Sequence, residues 1–259
     1  MIRSLYYHNP NPEGFEAVIR HLHSKGYKFI SIDELYYRLK RNDTKGKLAY
    51  VSFDDGWQGN LKLIPIIEKY NVPITIFIAV NPVKEGNYWW EFVAKKLGYS
   101  KMFEFKKLPH NEFENQLKQI KTEVGALERS AMTMDELKEI SKHPLVSIQS
   151  HTVNHPILTK LPNDLLKFEL KESQKQLEEI TGKEVFAFSY PNGSLTNREI
   201  DATKNYYKIA FSTEQNNIRT SDDIYTLPRY ALTGDYKRDL LKLYGLWKYI
   251  IKIKDLLKK

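Results

Sequence analysis

No cysteine occurs among the 259 residues. Disulfides are therefore excluded, and any bound metal must be held by nitrogen and oxygen ligands. No run approaches the roughly 18 apolar residues of a membrane span. The N-terminus, Met1-Ile2-Arg3-Ser4-Leu5-Tyr6-Tyr7-His8, lacks the roughly 7–15-residue apolar segment of a signal peptide. With Met1 as the start, a cytoplasmic protein is expected. Internal repeats and low-complexity segments are missing, and no histidine follows His155. Acids run short at the C-terminal end. Between Lys237 and Lys259 eight basic residues face only Asp239 and Asp255, so six of the eight net positive charges sit there. The rest of the chain is close to neutral, and a nucleic-acid partner is not expected. What is present, 41% hydrophobic residues, can bury one sizeable core or at most two small ones.

The most informative stretch is Val51-Ser52-Phe53-Asp54-Asp55-Gly56-Trp57. An apolar run (Leu48, Tyr50, Val51, Phe53) ends in two adjacent acids and a glycine, which reads as a buried strand ending in a turn. Neighbouring side chains of a regular strand point to opposite faces, so Asp54 and Asp55 share one cleft only if the backbone yields. Gly56 is the expected place. Two buried acids side by side are costly unless a cation or donor compensates them. A solvated Asp-Gly turn is the plain alternative. A second apolar run, residues 146–150, leads into His151-Thr152-Val153-Asn154-His155-Pro156. Two His four apart suit a zinc pair, and Pro156 disfavours a helix at His155, so a loop-like turn is expected. Together the motifs offer His, His and Asp, the ligand set of a three-ligand catalytic metal site.

The surrounding chain alternates. Strands are expected at residues 5–7, 27–32, 48–55, 72–80, 146–150, 185–190 and 207–212, with an edge segment at 224–229 limited by Pro228. Helices between them carry Phe15/Val18/Ile19/Leu22, Leu35/Tyr36/Leu39 with Asp33 as cap, Leu61/Ile64/Ile67/Tyr70, and Leu165/Phe168/Leu170/Leu177/Ile180. This rhythm implies βα units around a parallel sheet with its site at the C-terminal strand ends. Residues 82–144 break the rhythm and read as a mostly helical insertion. One domain over residues 1–236 and a basic amphipathic C-terminal helix over 237–259, bent at Gly245, are expected.

The two motifs resemble those of the polysaccharide deacetylase family, carbohydrate esterase family four. Thr/Ser-Phe-Asp-Asp-Gly falls at Ser52 to Gly56 and His-Ser/Thr-x-x-His at His151 to His155, and the likeness extends from about Tyr6 to about Arg229. The resemblance implies an α/β fold, a distorted or incomplete (β/α) barrel. It also implies metal-dependent removal of acetyl from an N-acetylated amino sugar. Asp55, His151 and His155 are the expected metal ligands, with Asp54 as general base. Zinc is the default ion, and such a donor set also accepts Co, Ni or Fe(II). The family's third motif matches Ser189-Tyr190-Pro191-Asn192-Gly193, whose Asn192 N–H is expected to stabilise the oxyanion; a plain Pro-Asn-Gly reversal is the alternative.

Two departures stand out. The family's C-terminal Leu-x-His acid is replaced by Leu227-Pro228-Arg229, and arginine cannot shuttle a proton. The third-motif Arg is absent, with Ser189 near its place. Tyr7-His8 followed by Gly26-Tyr27 resembles the biofilm-exopolysaccharide deacetylase branch, whose N-terminal Tyr-His donates the acid. His8 is thus the expected general acid, against a purely structural His at a strand end, and Arg229 is expected to orient Asp54. Trp89-Trp90 is either a sugar-stacking platform or packing for the insertion. The tail either covers the fold or lies on an anionic inner-membrane face, which would suit lipid-linked glycans. The expected substrate is an N-acetyl amino sugar of a surface polysaccharide, lipopolysaccharide or lipid-linked precursor, with no oligomeric state implied. The rivals are an inactive glycan-binding module of the same fold and an amidohydrolase acting on a formamide or cyclic imide.

Overall fold

The computed structural model describes residues 1–247. The chain runs β1 (Ile2–Tyr7), α1 (Pro12–Ser24), β2 (Lys28–Phe29), α2 (Ile32–Lys40), β3 (Leu48–Asp55), α3 (Ile64–Tyr70) and β4 (Ile74–Ile78). The insertion then contributes α4 (Val80–Glu85), α5 (Trp89–Leu97), α6 (Met102–Phe105), α7 (His110–Val124) and α8 (Met134–Ile140). The rhythm resumes with β5 (Val146–Ser150), α9 (Asn163–Thr181), β6 (Ala187–Ser189), α10 (Asn197–Thr203), β7 (Ile209–Phe211), β8 (Tyr230–Ala231) and α11 (Tyr236–Leu243). Local chemistry accounts for the boundaries. Asn11 accepts a hydrogen bond from the Gly14 N–H and Pro12 presets the first turn of α1, whose buried stripe is Phe15, Val18, Ile19 and Leu22.

All strand pairings in the sheet are parallel, in the order β7-β6-β5-β4-β3-β1-β8, with β2 also against β3. The register brings the strand ends level: Tyr7 lies opposite Phe53, Asp55 opposite Ile78, Ile78 opposite Ser150, and Ser150 opposite Phe188. The residues after these ends therefore share one rim. The ends of the row nearly meet. Leu227 bridges Phe211 of β7, and three residues on β8 pairs with β1. The result is a distorted (β/α) barrel with a thin seam.

Every residue of β3 is buried, as expected for a strand covered on both faces. Ala49, Val51 and Phe53 join the layer between sheet and helices, whereas Leu48 and Tyr50 pack with Ile2, Phe77, Phe211 and Leu227 on the other face. By alternation Ser52 and Asp54 share that inner face with Tyr50. The insertion has its own small core of Trp89, Val93, Phe105, Phe113, Leu117 and Ile120. Among the described residues no helix is long and apolar enough to cross a membrane.

Several expectations need correction. The strand expected at 27–32 is only two residues long, because the next helix begins at Ile32. Its cap is Ser31, whose side chain accepts from the Glu34 N–H; Asp33 lies inside the first turn, where an acid favours the helix dipole. The strand expected at 72–80 is confined to Ile74–Ile78. Residues 224–229 do not form a strand; Pro228 has no N–H to offer, and pairing moves on to Tyr230–Ala231. On α9 the buried stripe is Leu166, Glu169, Leu170, Ser173 and Leu177, while Leu165 and Phe168 are exposed. Of the basic tail, α11 ends at Leu243 and Gly245 takes a left-handed φ of 70°. Asp239 and Leu243 are buried and α11 lies against α1. Residues 248–259, the greater part of the expected amphipathic helix, lie outside the described residues.

Gly56 shows how tightly the end of β3 is built. Its φ is +94°, and an added Cβ would lie 2.8 Å from Ile78 Cδ1 and 3.2 Å from Val83 Cγ2. Gly56→Ala should destabilise the fold by about 1–3 kcal/mol through backbone strain and overpacking. Urea unfolding checks it, and an unchanged midpoint would show that the turn relaxes freely.

Candidate active site

The two aspartates share the rim because Asp55 itself, and not only Gly56, leaves the strand conformation. Its φ is +78°, a left-handed value uncommon outside glycine. Its Oδ2 accepts a hydrogen bond from Trp57 Nε1 at 2.9 Å. Its Oδ1 is buried and has no hydrogen-bond donor among the described residues. That oxygen lies 3.5 Å from His151 Nε2 and 3.3 Å from His155 Nε2.

The His-bearing segment is a loop, as Pro156 suggested. Thr152 and His155 both have left-handed backbones, with φ of 74° and 54°. The loop is braced from within. Glu169 of α9 accepts from the backbone N–H groups of Val153 and Asn154 at 2.8 and 3.0 Å, and Thr152 Oγ1 accepts from the His155 N–H at 3.0 Å. His151 Nδ1 donates to the Ser189 carbonyl at 2.7 Å, which leaves the Nε2 lone pair directed at Asp55. His155 is held by packing: its ring meets that of Trp90 edge-on at 4.6 Å, and its carbonyl accepts from Trp89 Nε1 at 3.1 Å.

Burial lowers the His151 pKa to about 4, so its imidazole is neutral and free to donate electrons. For Asp55 burial acts upward, but His155 and then His8 outweigh it and hold the carboxyl below the usual range. Asp55, His151 and His155 offer ligand atoms that all lie within 4.8 Å of one another. Ligand bonds of about 2.0–2.1 Å at tetrahedral angles would separate such donors by about 3.3 Å. An orphaned carboxylate oxygen facing two imidazole nitrogens at this spacing fits a divalent ion.

Asp54 is held quite differently. Arg229 Nη1 donates to its Oδ1 at 2.8 Å and Nη2 to its Oδ2 at 2.9 Å, a bidentate pair with both partners buried. Arg229 also donates to Ser52 Oγ and Ser189 Oγ, at 3.1 and 2.7 Å. Its guanidinium sits 4.2 Å from the Tyr6 ring centroid. Burial pushes the Asp54 pKa up, but the Arg229 guanidinium reverses the shift and keeps the carboxylate ionised. Oδ2 takes a further hydrogen bond from Ser189 Oγ at 3.3 Å, whereas among the described residues Oδ1 has only the Arg229 donor. Oδ1 therefore keeps a lone pair for another proton.

These groups line one cleft of about 690 Å³, within the range of small-molecule sites. His8 stands exposed on its rim, with its backbone carbonyl fixed by Asn60 Nδ2 at 2.7 Å. Asn192 lines the opposite part with a left-handed φ of 56°, and no acceptor takes its backbone N–H among the described residues. All seven expected site residues thus converge: six line the cleft, and Arg229 backs Asp54 from inside the barrel. The tryptophan pair divides, Trp89 packing in the insertion and Trp90 facing the cleft. The remaining histidines lie elsewhere, His21 bonding Tyr244 and His143 bonding Glu68. Sequence reasoning missed Trp57, Glu169 and Lys106. Trp57 directly follows the first motif, but nothing marked Glu169 of α9 or Lys106, which follows α6. Lys106 donates to Asn192 Oδ1 across the cleft, and burial lowers its pKa against the opposing field of Asp55.

A family model described as polysaccharide deacetylase matches residues 41–208, most of the chain and both motifs. The chain belongs to the polysaccharide deacetylase family. Among curated relatives, a Bacillus subtilis putative polysaccharide deacetylase, YxkH, is 23% identical over 85% of this chain and 64% of its own. This chain thus spans less than two thirds of that protein's length. The Staphylococcus aureus poly-β-1,6-N-acetyl-D-glucosamine N-deacetylase is 24% identical over 88% of this chain and 69% of its own. Solved structures share the fold. The Streptococcus pyogenes deacetylase PplD superposes with a TM-score of 0.69 at 21% identity, covering 93% of this chain and 97% of that one. IcaB from Ammonifex degensii gives 0.68 at 19%, covering 95% and 97%.

Removing one partner of the Asp54–Arg229 pair strands a buried charge. Arg229→Met should lower stability by about 3–5 kcal/mol, and the double variant Asp54→Leu/Arg229→Met should regain much of that loss. Chemical denaturation of the four proteins in the cycle tests this. Additive losses would mean the two charges are not coupled.

Proposed function

We propose that this deacetylase hydrolyses the N-acetyl group of an amino sugar in a surface polysaccharide, lipopolysaccharide or lipid-linked glycan precursor, releasing acetate in a metal-dependent reaction. One observation carries the reading: the unpartnered Asp55 Oδ1 faces two imidazole Nε2 atoms beside an ionised, arginine-held Asp54, at the floor of an open cleft. The name of the staphylococcal relatives supports an N-acetylglucosamine amide as the bond attacked.

A divalent ion held by Asp55, His151 and His155, zinc by default, supplies Lewis acidity and lowers the pKa of water. This chain's own residues do the rest. Asp54 Oδ1 takes a proton from the attacking water as its oxygen bonds to the acyl carbon. Arg229 fixes the plane of that carboxylate and, by stabilising its charge, makes Asp54 a weak base that holds the proton only transiently. The Asn192 N–H faces the acyl oxygen as it gains negative charge. His8, on the cleft rim, gives the sugar nitrogen the proton it needs to leave as an amine when the C–N bond breaks. Trp90 offers an apolar face to the sugar ring.

Asp54→Asn should retain one equivalent of divalent metal and lose about 10²-fold or more in turnover, the usual scale for a missing general base. His151→Ala should lose the metal. Elemental analysis of the purified variants, with acetate release from nucleotide-, lipid- and polymer-linked N-acetyl sugars with and without chelator, is the test. Full activity in Asp54→Asn would refute the assignment of the base. Sugar binding without acetate release from any substrate would favour the inactive glycan-binding module.

A further inference from the structure

Among the described residues the cleft holds one cation to which the chemistry above gives no task. Lys106 reaches in from the segment after α6, half-buried, with Nζ bonded to Asn192 Oδ1 and 5.8 Å from the centroid of the Trp89 ring. Two other cations of the insertion are neutralised: Lys101 pairs with Glu104 at 2.9 Å and Lys96 with Glu123 at 2.8 Å. Among the described residues no carboxylate lies in ion-pair distance of Lys106. The acids lining the cleft are Asp54 and Asp55, and both are already committed, one to Arg229 and the other to the imidazole pair. Outside the mouth the positive charge continues. Lys160 Nζ donates to the Lys107 carbonyl at 3.3 Å, and neither of these exposed lysines has a carboxylate partner among the described residues.

An ammonium drawn partly out of water without a counter-ion is costly, and an anion placed beside it offsets that cost. A neutral polymer of N-acetylated sugar offers no such group. We propose that Lys106, continued outward by Lys107 and Lys160, forms a subsite for an anionic group on the glycan, carried by the sugar next to the one that loses its acetyl. The subsite rests on the deacetylase reading of the same cleft. Lysine acts as a point charge with rotatable donors, so it accepts a phosphodiester or a carboxylate. Tyr99, 74% exposed on the same wall, adds an aromatic face beside it. In this arrangement the barrel performs the chemistry and the insertion selects which sugar is presented.

The test uses the full chain and matched N-acetylglucosamine oligosaccharides: neutral, phosphodiester-bearing and uronate-bearing. Binding is read by calorimetry and turnover by acetate release. Anionic oligosaccharides should bind about tenfold tighter than neutral ones, the scale of a charge-assisted hydrogen bond. The advantage should shrink in high salt. Lys106→Gln should abolish the preference, Lys106→Arg should keep it, and Lys107→Gln/Lys160→Gln should reduce it. The two anionic arms show which group is read. Equal or weaker binding of both anionic sets, or an undiminished preference in Lys106→Gln, overturns the subsite, even where acetate is released. Selective anionic binding without acetate release would uphold the subsite and refute the deacetylase reading. If none of the three sets binds, the subsite falls as well.

Discussion

The buried ion pair between Asp54 and Arg229 ties the chemistry to the architecture. Arg229 lies in the short segment that bridges β7 at Leu227 and pairs with β1 from Tyr230. That segment is the seam of the barrel, and its backbone pairing is sparse. The guanidinium turns inward from it and meets β3, two strands along the sheet, within reach of the Tyr6, Phe77 and Phe211 rings. In such an environment a lone charge of either sign would cost several kcal/mol. The strand bearing the acids and the segment closing the barrel therefore stabilise one another only when both are in place. The hydroxyls of Ser52 and Ser189 and the carbonyl of Ser212 satisfy the remaining donors, so Asp54 is presented in one orientation.

The proposed metal ligands rest on a different device, strained backbone held by bracing. Asp55, Thr152 and His155 all adopt left-handed conformations, which cost non-glycine residues of order 1–3 kcal/mol each. Glu169, the Ser189 carbonyl and Trp57 supply the compensating hydrogen bonds. The strain has a geometric product. A straight strand would send Asp54 and Asp55 to opposite faces. With the last residue rotated, one carboxylate stays inside the barrel on arginine while the other faces the imidazoles. Neighbours in sequence thereby acquire different surroundings, one matched to a cation and one left with a free oxygen.

The insertion adds one wall of the cleft. Its core of Trp89, Phe105 and Phe113 makes it rigid enough to carry Trp90 against His155 and Lys106 against Asn192. The proposed chemistry sits on strand ends whose register is fixed by the sheet. The proposed recognition sits on the insertion, whose small core is separate from that of the sheet.

Motifs and periodicity in the sequence were enough to establish the α/β class, the helical insertion and the two strand-end motifs. Hydrophobic alternation and turn residues are local signals, and the His and Asp spacings lie within single turns. The strand at residues 28–29 was read too long and the one at 230–231 was missed, because a two-residue strand carries no period, and α9 turned a different face inward because Leu165 and Phe168 look as apolar as the residues that are buried. The resemblance suggested Arg229 as a partner of Asp54, but only the fold could bring positions 175 residues apart into bidentate contact. The same holds for Glu169 beneath the His loop and for Lys106 across the cleft. These contacts depend on where helices lie on the barrel, and packing against distant neighbours, not local composition, decides that.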